Sequence, residues 1–239
     1  MKRKTIVSIL IGTCFITAIL LYGCTKDSTN SYSKVLVLGN SMTKHPITSF
    51  WWGEWGMAAS KKENDFVHKL EKMLQTTNRN CTVEGYQIWD WERNHTTYDK
   101  SNLDTFFINK PNLVIIRLGE NVVDLTNFDV SLQDLIDYIR GKVPDARIII
   151  TGAFWTSAPK DSIFSAAARS NNLTYVELSS LNIEANKSFI GATVYDALGN
   201  PHLIDVKSVA DHPNDIGMTA IANTIFKTIM DNRNLRNDQ

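Results

Sequence analysis

The sequence predicts a three-layer α/β/α sandwich with a parallel central sheet, on three observations. Short aliphatic and β-branched runs alternate with amphipathic stretches from Lys34 to about residue 232, and βαβα order implies a parallel sheet with helices on both faces. A serine, Ser41, lies just past the first aliphatic run, where open α/β sheets place their ligand crevice. The chain has about one domain's length and an ordinary composition over all 239 residues, 43% hydrophobic and 21% charged, enough to bury a full core.

Each element follows from its own pattern. Lys34-Val35-Leu36-Val37-Leu38 reads as a buried first strand ending in Gly39-Asn40-Ser41-Met42-Thr43. A helix is expected from about Met57 to Gln75, with Phe66, Val67, Leu70, Met73 and Leu74 on one side. Strands follow near Thr82 to Ile88, Leu113 to Leu118 and Ala146 to Thr151, with a helix over 131–141 whose Leu132, Leu135, Ile136 and Ile139 share a face. A helix near Ser162 to Ser170 precedes a fifth strand, Leu173 to Leu178. The last helix spans about Asp215 to Met230, with Ile216, Ala220, Ile221, Ile225 and Ile229 inward and Asn214-Asp215 as its cap. Thr193-Val194-Tyr195 and His202-Leu203-Ile204 flank Ala197-Leu198-Gly199-Asn200 and read as an inserted hairpin. The sheet is expected to be flavodoxin-like.

The amino terminus belongs to a different class of sequence. Lys2-Arg3-Lys4 precedes an apolar run from Thr5 to Gly23, the pattern of an export signal. The run ends in Leu21-Tyr22-Gly23-Cys24, which resembles the bacterial lipoprotein cleavage box and implies lipidation of Cys24. The expected organisation is a signal peptide over 1–23, a polar tether over 24–33 and one folded domain over 34–232, held to a membrane of the cell envelope by its lipid. Of three cysteines, Cys14 lies in the signal and Cys24 takes the lipid, leaving Cys81 as a buried inert thiol. A net charge of zero without a basic cluster excludes nucleic acid as the main partner. No phosphate loop, His-Glu-x-x-His or paired-cysteine motif occurs, so neither a metal nor a cofactor is expected.

Three segments converge on one sheet edge in this topology: Gly39-Asn40-Ser41 after the first strand, Gly119-Glu120-Asn121 after the third, and Asp211-His212-Pro213 before the last helix. A hydroxyl becomes a nucleophile when a base takes its proton, and a histidine from a distant segment can supply that base. The ordered set resembles the SGNH, or GDSL-like, hydrolase family, within it a subgroup associated with bacterial lipoproteins. The resemblance spans roughly residues 34 to 230 and implies the SGNH hydrolase fold. It further implies Ser41 as nucleophile, His212 as general base, and an oxyanion site built from the Ser41 backbone N–H, Gly119 and the Asn121 amide, Gly119 letting the chain turn so that Asn121 points back.

The chain departs from the family pattern in three places. Gly-Asp-Ser is Gly-Asn-Ser here, the glycine expected after the second strand has no counterpart because Gly85 falls inside that strand, and the usual acid three residues before the histidine is Val209. Asp211, Asp205 or a backbone carbonyl would then orient His212. The insertion after Ser41 carries Trp51, Trp52 and Trp55, and Trp89 and Trp91, with Glu92-Arg93, follow the second strand as an extension of the same rim. These can be core residues or an aromatic platform for sugar rings. His45, without partners at metal-ligand spacing, reads as a loop hydrogen-bonder. The expected function is a serine esterase or deacylase acting on short acyl esters such as O-acetyl groups of glycans, so the expected partner is an ester-bearing small molecule or acylated glycan. An O-acyltransferase using the same residues and an inactive carbohydrate-binding protein remain the alternatives.

Overall fold

The computed structural model describes residues 31–237, with side chains to residue 231. The elements are β1 (Lys34–Gly39), α1 (Phe66–Gln75), β2 (Thr82–Gln87), α2 (Trp89–Asn94), β3 (Leu113–Ile116), α3 (Phe128–Lys142), β4 (Arg147–Thr151), α4 (Ala158–Ser170), β5 (Thr174–Val176), β6 (Thr193–Tyr195), β7 (Pro201–Leu203), α5 (Lys207–Ala210) and α6 (Asp215–Asn237). Five strands form a parallel sheet in the order β2-β1-β3-β4-β5, and β6 and β7 form a separate antiparallel pair. This is the doubly wound order whose ligand crevice opens between the first and third strands. The predicted three-layer sandwich and inserted hairpin are both present.

Side-chain alternation divides the core into two layers. Val35, Val37, Leu113, Ile115 and Ile149 pack with Leu70 of α1 and Ile221, Ile225 and Ile229 of α6. Leu36, Leu38, Val114, Ile116 and Ile150 pack on the other face with Leu132 and Leu135 of α3 and Phe164 of α4. Strands buried on both faces explain the continuous aliphatic runs. Parallel pairing of Leu38 with Ile116 brings the ends of β1 and β3 level, so the Ser41 and Asn121 loops leave the sheet at one edge.

Several boundaries differ from expectation for local reasons. The helix expected from Met57 begins at Phe66, because Ala58 adopts φ +69° and Asp65 caps the helix by accepting the His68 N–H at 2.8 Å. Pro159 lies in the first turn of α4, which therefore starts before the predicted Ser162. Ile216 is 63% exposed rather than inward. Asn214 caps α6 as expected, its Oδ1 accepting the Ile216 and Gly217 N–H groups at 2.9 Å each. Cys81 is buried, and burial first, with the Glu71 charge second, pushes its thiol up to about 11.

The folded body begins at Tyr32, which is buried and receives a 2.9 Å bond from Arg147 on its hydroxyl. The signal peptide, Cys24 and most of the expected tether lie outside the described residues.

Candidate active site

The turn after β1 is tight. A Cβ on Gly39 would lie 1.9 Å from Thr43 Oγ1, so only glycine fits there. The Asn40 carbonyl accepts both the Thr43 and Lys44 N–H groups, at 2.9 and 3.1 Å. No acceptor takes the Ser41 N–H among the described residues, and it remains a free donor. The long insertion folds back over this turn: Met57 N–H donates to the Ser41 carbonyl at 2.8 Å, and His45 N–H to the Trp55 carbonyl at 3.1 Å. Its far end is tied to the start of α6, where the Asp215 carboxylate accepts from Ser60 N (2.8 Å), Ser60 Oγ (2.5 Å) and Asn64 Nδ2 (2.9 Å). Asp215 thus clamps the insertion, whereas the sequence suggested only a helix cap.

His212 lies on the short turn between α5 and α6, and its Nε2 is 2.8 Å from Ser41 Oγ. Its Nδ1 is 2.7 Å from the Ser208 carbonyl oxygen. A carbonyl can only accept, so Nδ1 carries the proton and Nε2 is the bare acceptor facing the serine hydroxyl. Burial pulls the imidazole down to about 4, against a smaller upward push from the Ser208 bond. The ring is therefore neutral near pH 7 and able to take a proton. Asp211, expected as an orienting acid, is not the partner: its Oδ1 accepts from Lys207 Nζ at 2.7 Å, and Nδ1 is already bonded. Trp155 supports the histidine from the side, edge-on at 4.9 Å between centroids, with its indole N–H donating to the Asp211 carbonyl at 3.1 Å.

Asn121 reaches the same edge from the β3 loop. Gly119 turns that loop at φ +126°, with Phe164 too close for any side chain, so its expected turning role holds. Its N–H is consumed by Glu92 Oε1 at 2.5 Å, which removes Gly119 from the oxyanion donors. Glu92 also accepts from Asn121 N (3.3 Å), Asn40 Nδ2 (3.2 Å) and, through Oε2, Asn121 Nδ2 (2.6 Å). The carboxylate thereby fixes the Asn121 amide and leaves its second N–H unassigned. Glu92 is fully buried. Burial and the neighbouring Glu120 charge raise its carboxyl above the usual range, against the bonds it accepts.

The Glu120 side chain is also buried and sits in the same cluster. It accepts from Arg117 Nη1 (2.7 Å), Asn40 Nδ2 (2.6 Å) and Phe154 N (2.8 Å). Burial alone would raise its carboxyl, but the Arg117 charge and these bonds outweigh it and hold the group below the usual range. Asn40 thus bridges two buried carboxylates. An aspartate there would face both of them, which accounts for Gly-Asn-Ser in place of Gly-Asp-Ser.

Two clefts meet at Ser41. One, of about 450 Å³, is mainly apolar and includes His45, Phe50, Met57, Trp89 and Arg93. The other, of about 540 Å³, includes Trp155, Asn182, Lys187 and Asp211. Both fall in the size range of small-molecule sites. The tryptophans divide between core and rim. Trp51 and Trp55 are buried and pack edge-to-face at 6.0 Å, so they are core rather than platform. Trp52 stacks on His202 of β7 at 4.5 Å and holds the hairpin. Trp89 alone of the four lines the cleft. His45 bonds the Pro46 carbonyl through Nδ1 at 2.7 Å, as a loop hydrogen-bonder should.

No protein-family model and no curated protein matches this sequence. Solved structures do share its fold. A two-domain esterase (CEX) active on acetylated mannans superposes with a TM-score of 0.56 at 16% identity over 84% of this chain, which spans 50% of that protein's length. The acetyl xylan esterase AlAXEase gives 0.54 at 16% identity, covering 82% of this chain and 99% of that one. A Clostridium thermocellum family 3 carbohydrate esterase gives 0.56 at 15% identity, with 84% and 97% covered. With the strand order above, these likenesses establish the three-layer fold of the SGNH hydrolases.

Proposed function

We propose that this chain is a serine-dependent hydrolase of short acyl esters, in particular O-acetyl esters of saccharides. The observation that carries the reading is the 2.8 Å contact between Ser41 Oγ and a His212 Nε2 left unprotonated by the Ser208 bond. Ser41 Oγ attacks the ester carbonyl as its proton passes to Nε2. The oxyanion is met by the Ser41 N–H and the free N–H of Asn121, each such donor contributing roughly 3–4 kcal/mol in comparable sites. His212 then returns the proton to the departing alcohol oxygen, leaving an acyl-serine. Water, deprotonated by the same nitrogen, releases the acid and restores the hydroxyl.

The arrangement favours chemistry over passive binding, because a buried neutral imidazole on a serine hydroxyl has no use in holding a sugar. The saccharide preference draws on the fold neighbours and on the aromatic rim at Trp89. Lipidation at Cys24 and an envelope location complete the proposal, on the sequence motif. The test is turnover of 4-nitrophenyl acetate by the chain lacking residues 1–24, beside Ser41→Ala and His212→Ala. Turnover lost in both variants supports the reading, and turnover retained by Ser41→Ala overturns it. Release of free acetate from an acetylated glycan, with no acetyl passed to an added sugar, separates hydrolase from acyltransferase.

A further inference from the structure

We propose that Arg93 recognises a carboxylate carried by the substrate near its ester, so that the natural substrate is an acidic ester rather than a neutral one. The proposal rests on the hydrolase reading and names the substrate class of that site. Among the described residues, Arg93 is the one formally charged side chain lining the apolar cleft that opens on Ser41. Its guanidinium lies over the Trp89 ring, 4.3 Å from the centroid. Stacking holds the guanidinium by its face, and its N–H donors lie in its plane, where a carboxylate engages them two at a time.

No protein acceptor takes those donors among the described residues. The charged groups of the second cleft differ in this respect: Lys187 is paired with Glu184 at 2.7 Å, and Asp211 with Lys207 at 2.7 Å. Trp89 is itself held, since the Gln87 side chain lies between its indole N–H and the Lys44 carbonyl, and with the amide oxygen assigned to face the indole N–H its nitrogen donates to that carbonyl at 3.0 Å. The cation is therefore oriented and unpaired, in the cleft that contains the nucleophile.

The carboxylate can belong to the acyl group or to the alcohol, and two pairs of esters distinguish these. 4-Nitrophenyl hemisuccinate against 4-nitrophenyl acetate tests the acyl side, and O-acetyl galacturonate against O-acetyl galactose tests the alcohol side. The expected result is a kcat/KM ratio of about tenfold or more favouring the acidic member of one pair, as a charge-assisted bidentate contact supplies. Arg93→Gln collapses that ratio towards one, Arg93→Glu inverts it, and added salt weakens it. Turnover of the neutral esters with no acidic preference in either pair overturns the inference and leaves the hydrolase reading standing. Absence of all turnover fails the hydrolase reading, and calorimetry then decides Arg93 separately. Galacturonate bound more tightly than galactose by the parent but not by Arg93→Gln supports the site, and equal affinities overturn it.

Discussion

The Ser208 carbonyl lies 2.7 Å from His212 Nδ1 and so determines which ring nitrogen faces Ser41. A peptide carbonyl fixes the tautomer as firmly as a carboxylate does, but brings no full negative charge to stabilise the imidazolium formed during reaction. The site has a serine-histidine pair oriented by the backbone, with Val209 buried at the position where SGNH hydrolases usually carry an acid.

This arrangement sets the pH dependence. Desolvation holds His212 near 4, so the base stays unprotonated well below the ordinary histidine range. The kcat/KM for a neutral ester should remain level from pH 7 to about 5 and fall only near 4. A fall centred near 6.5 would contradict the buried neutral ring. The sign for stability follows the same protons. Between the unfolded value of 6.5 and about 4, the unfolded chain binds a proton that the folded chain refuses, so stability drops as pH falls through that window. The loss from this group reaches about 3 kcal/mol, since each pH unit of the window costs about 1.36 kcal/mol. Denaturant titrations at pH 7 and pH 4.5, compared between the parent and His212→Ala, measure it.

Glu92 is a positioning residue for Asn121. Glu92→Gln replaces one acceptor oxygen by an NH₂ that must face N–H donors, so the Asn121 amide loses its anchor. The expected effect is a fall in kcat of about ten- to a hundredfold with KM little changed, less than the roughly hundred- to thousandfold loss for Asn121→Ala. Equal falls in kcat for a slow and a fast ester, with soluble and folded protein, distinguish positioning from a general loss of fold. An unchanged kcat would remove Glu92 from this role.

Asn40→Asp introduces the residue usual in the SGNH hydrolases, and in this chain it should be harmful. The substitution deletes two bonds to Glu92 and Glu120 and sets a third carboxylate against them. Destabilisation of about 3 kcal/mol or more is expected at pH 7, the scale of an uncompensated buried charge. Repulsion raises the new carboxyl, so the folded chain binds more protons than the unfolded one and the deficit shrinks as pH falls. Urea denaturation at pH 7.5 and 5 gives the comparison, and a deficit that grows towards pH 5 would refute the account.

Asp215 holds the insertion against α6 through three donors on Ser60 and Asn64. Asp215→Ala should lower stability by about 1–3 kcal/mol, since it leaves the Ser60 N–H and hydroxyl partly buried without an acceptor and Asn64 Nδ2 with Ser60 Oγ alone. It should also make the segment around residues 44–60 exchange its amides faster, as hydrogen exchange would read. Because Met57 N–H bonds the Ser41 carbonyl, loosening there should reach the nucleophile and reduce kcat.

The fold was legible because strands buried on both faces write long aliphatic runs, and Val35 to Leu38, Leu113 to Ile116 and Ile148 to Ile150 are such runs. Ser41, Asn121 and His212 were legible because each follows or precedes an element whose end the pattern marks. The orienting group was legible only as one of three alternatives, the backbone carbonyl among them, since a backbone acceptor such as the Ser208 carbonyl has no residue type of its own. Glu92 read only as part of a rim after the second strand, because α2 is too short to show which of its side chains turns inward. Its one signal is an acid between Trp91 and Arg93 just after β2, and Trp91 is core. Trp51 and Trp55 illustrate a further limit: a tryptophan in an insertion has the same letter whether it packs inward or faces a cleft.

Covalent trapping tests the central claim most directly. The chain is treated with a 4-nitrophenyl alkylphosphonate, whose phosphorus takes the nucleophile and holds it, and the modified residue is identified by mass spectrometry. The account predicts one phosphonyl group on Ser41, formed with loss of activity, absent from Ser41→Ala and strongly slowed in His212→Ala. An unmodified Ser41 in protein that still turns over esters, or label carried by another residue, would contradict it.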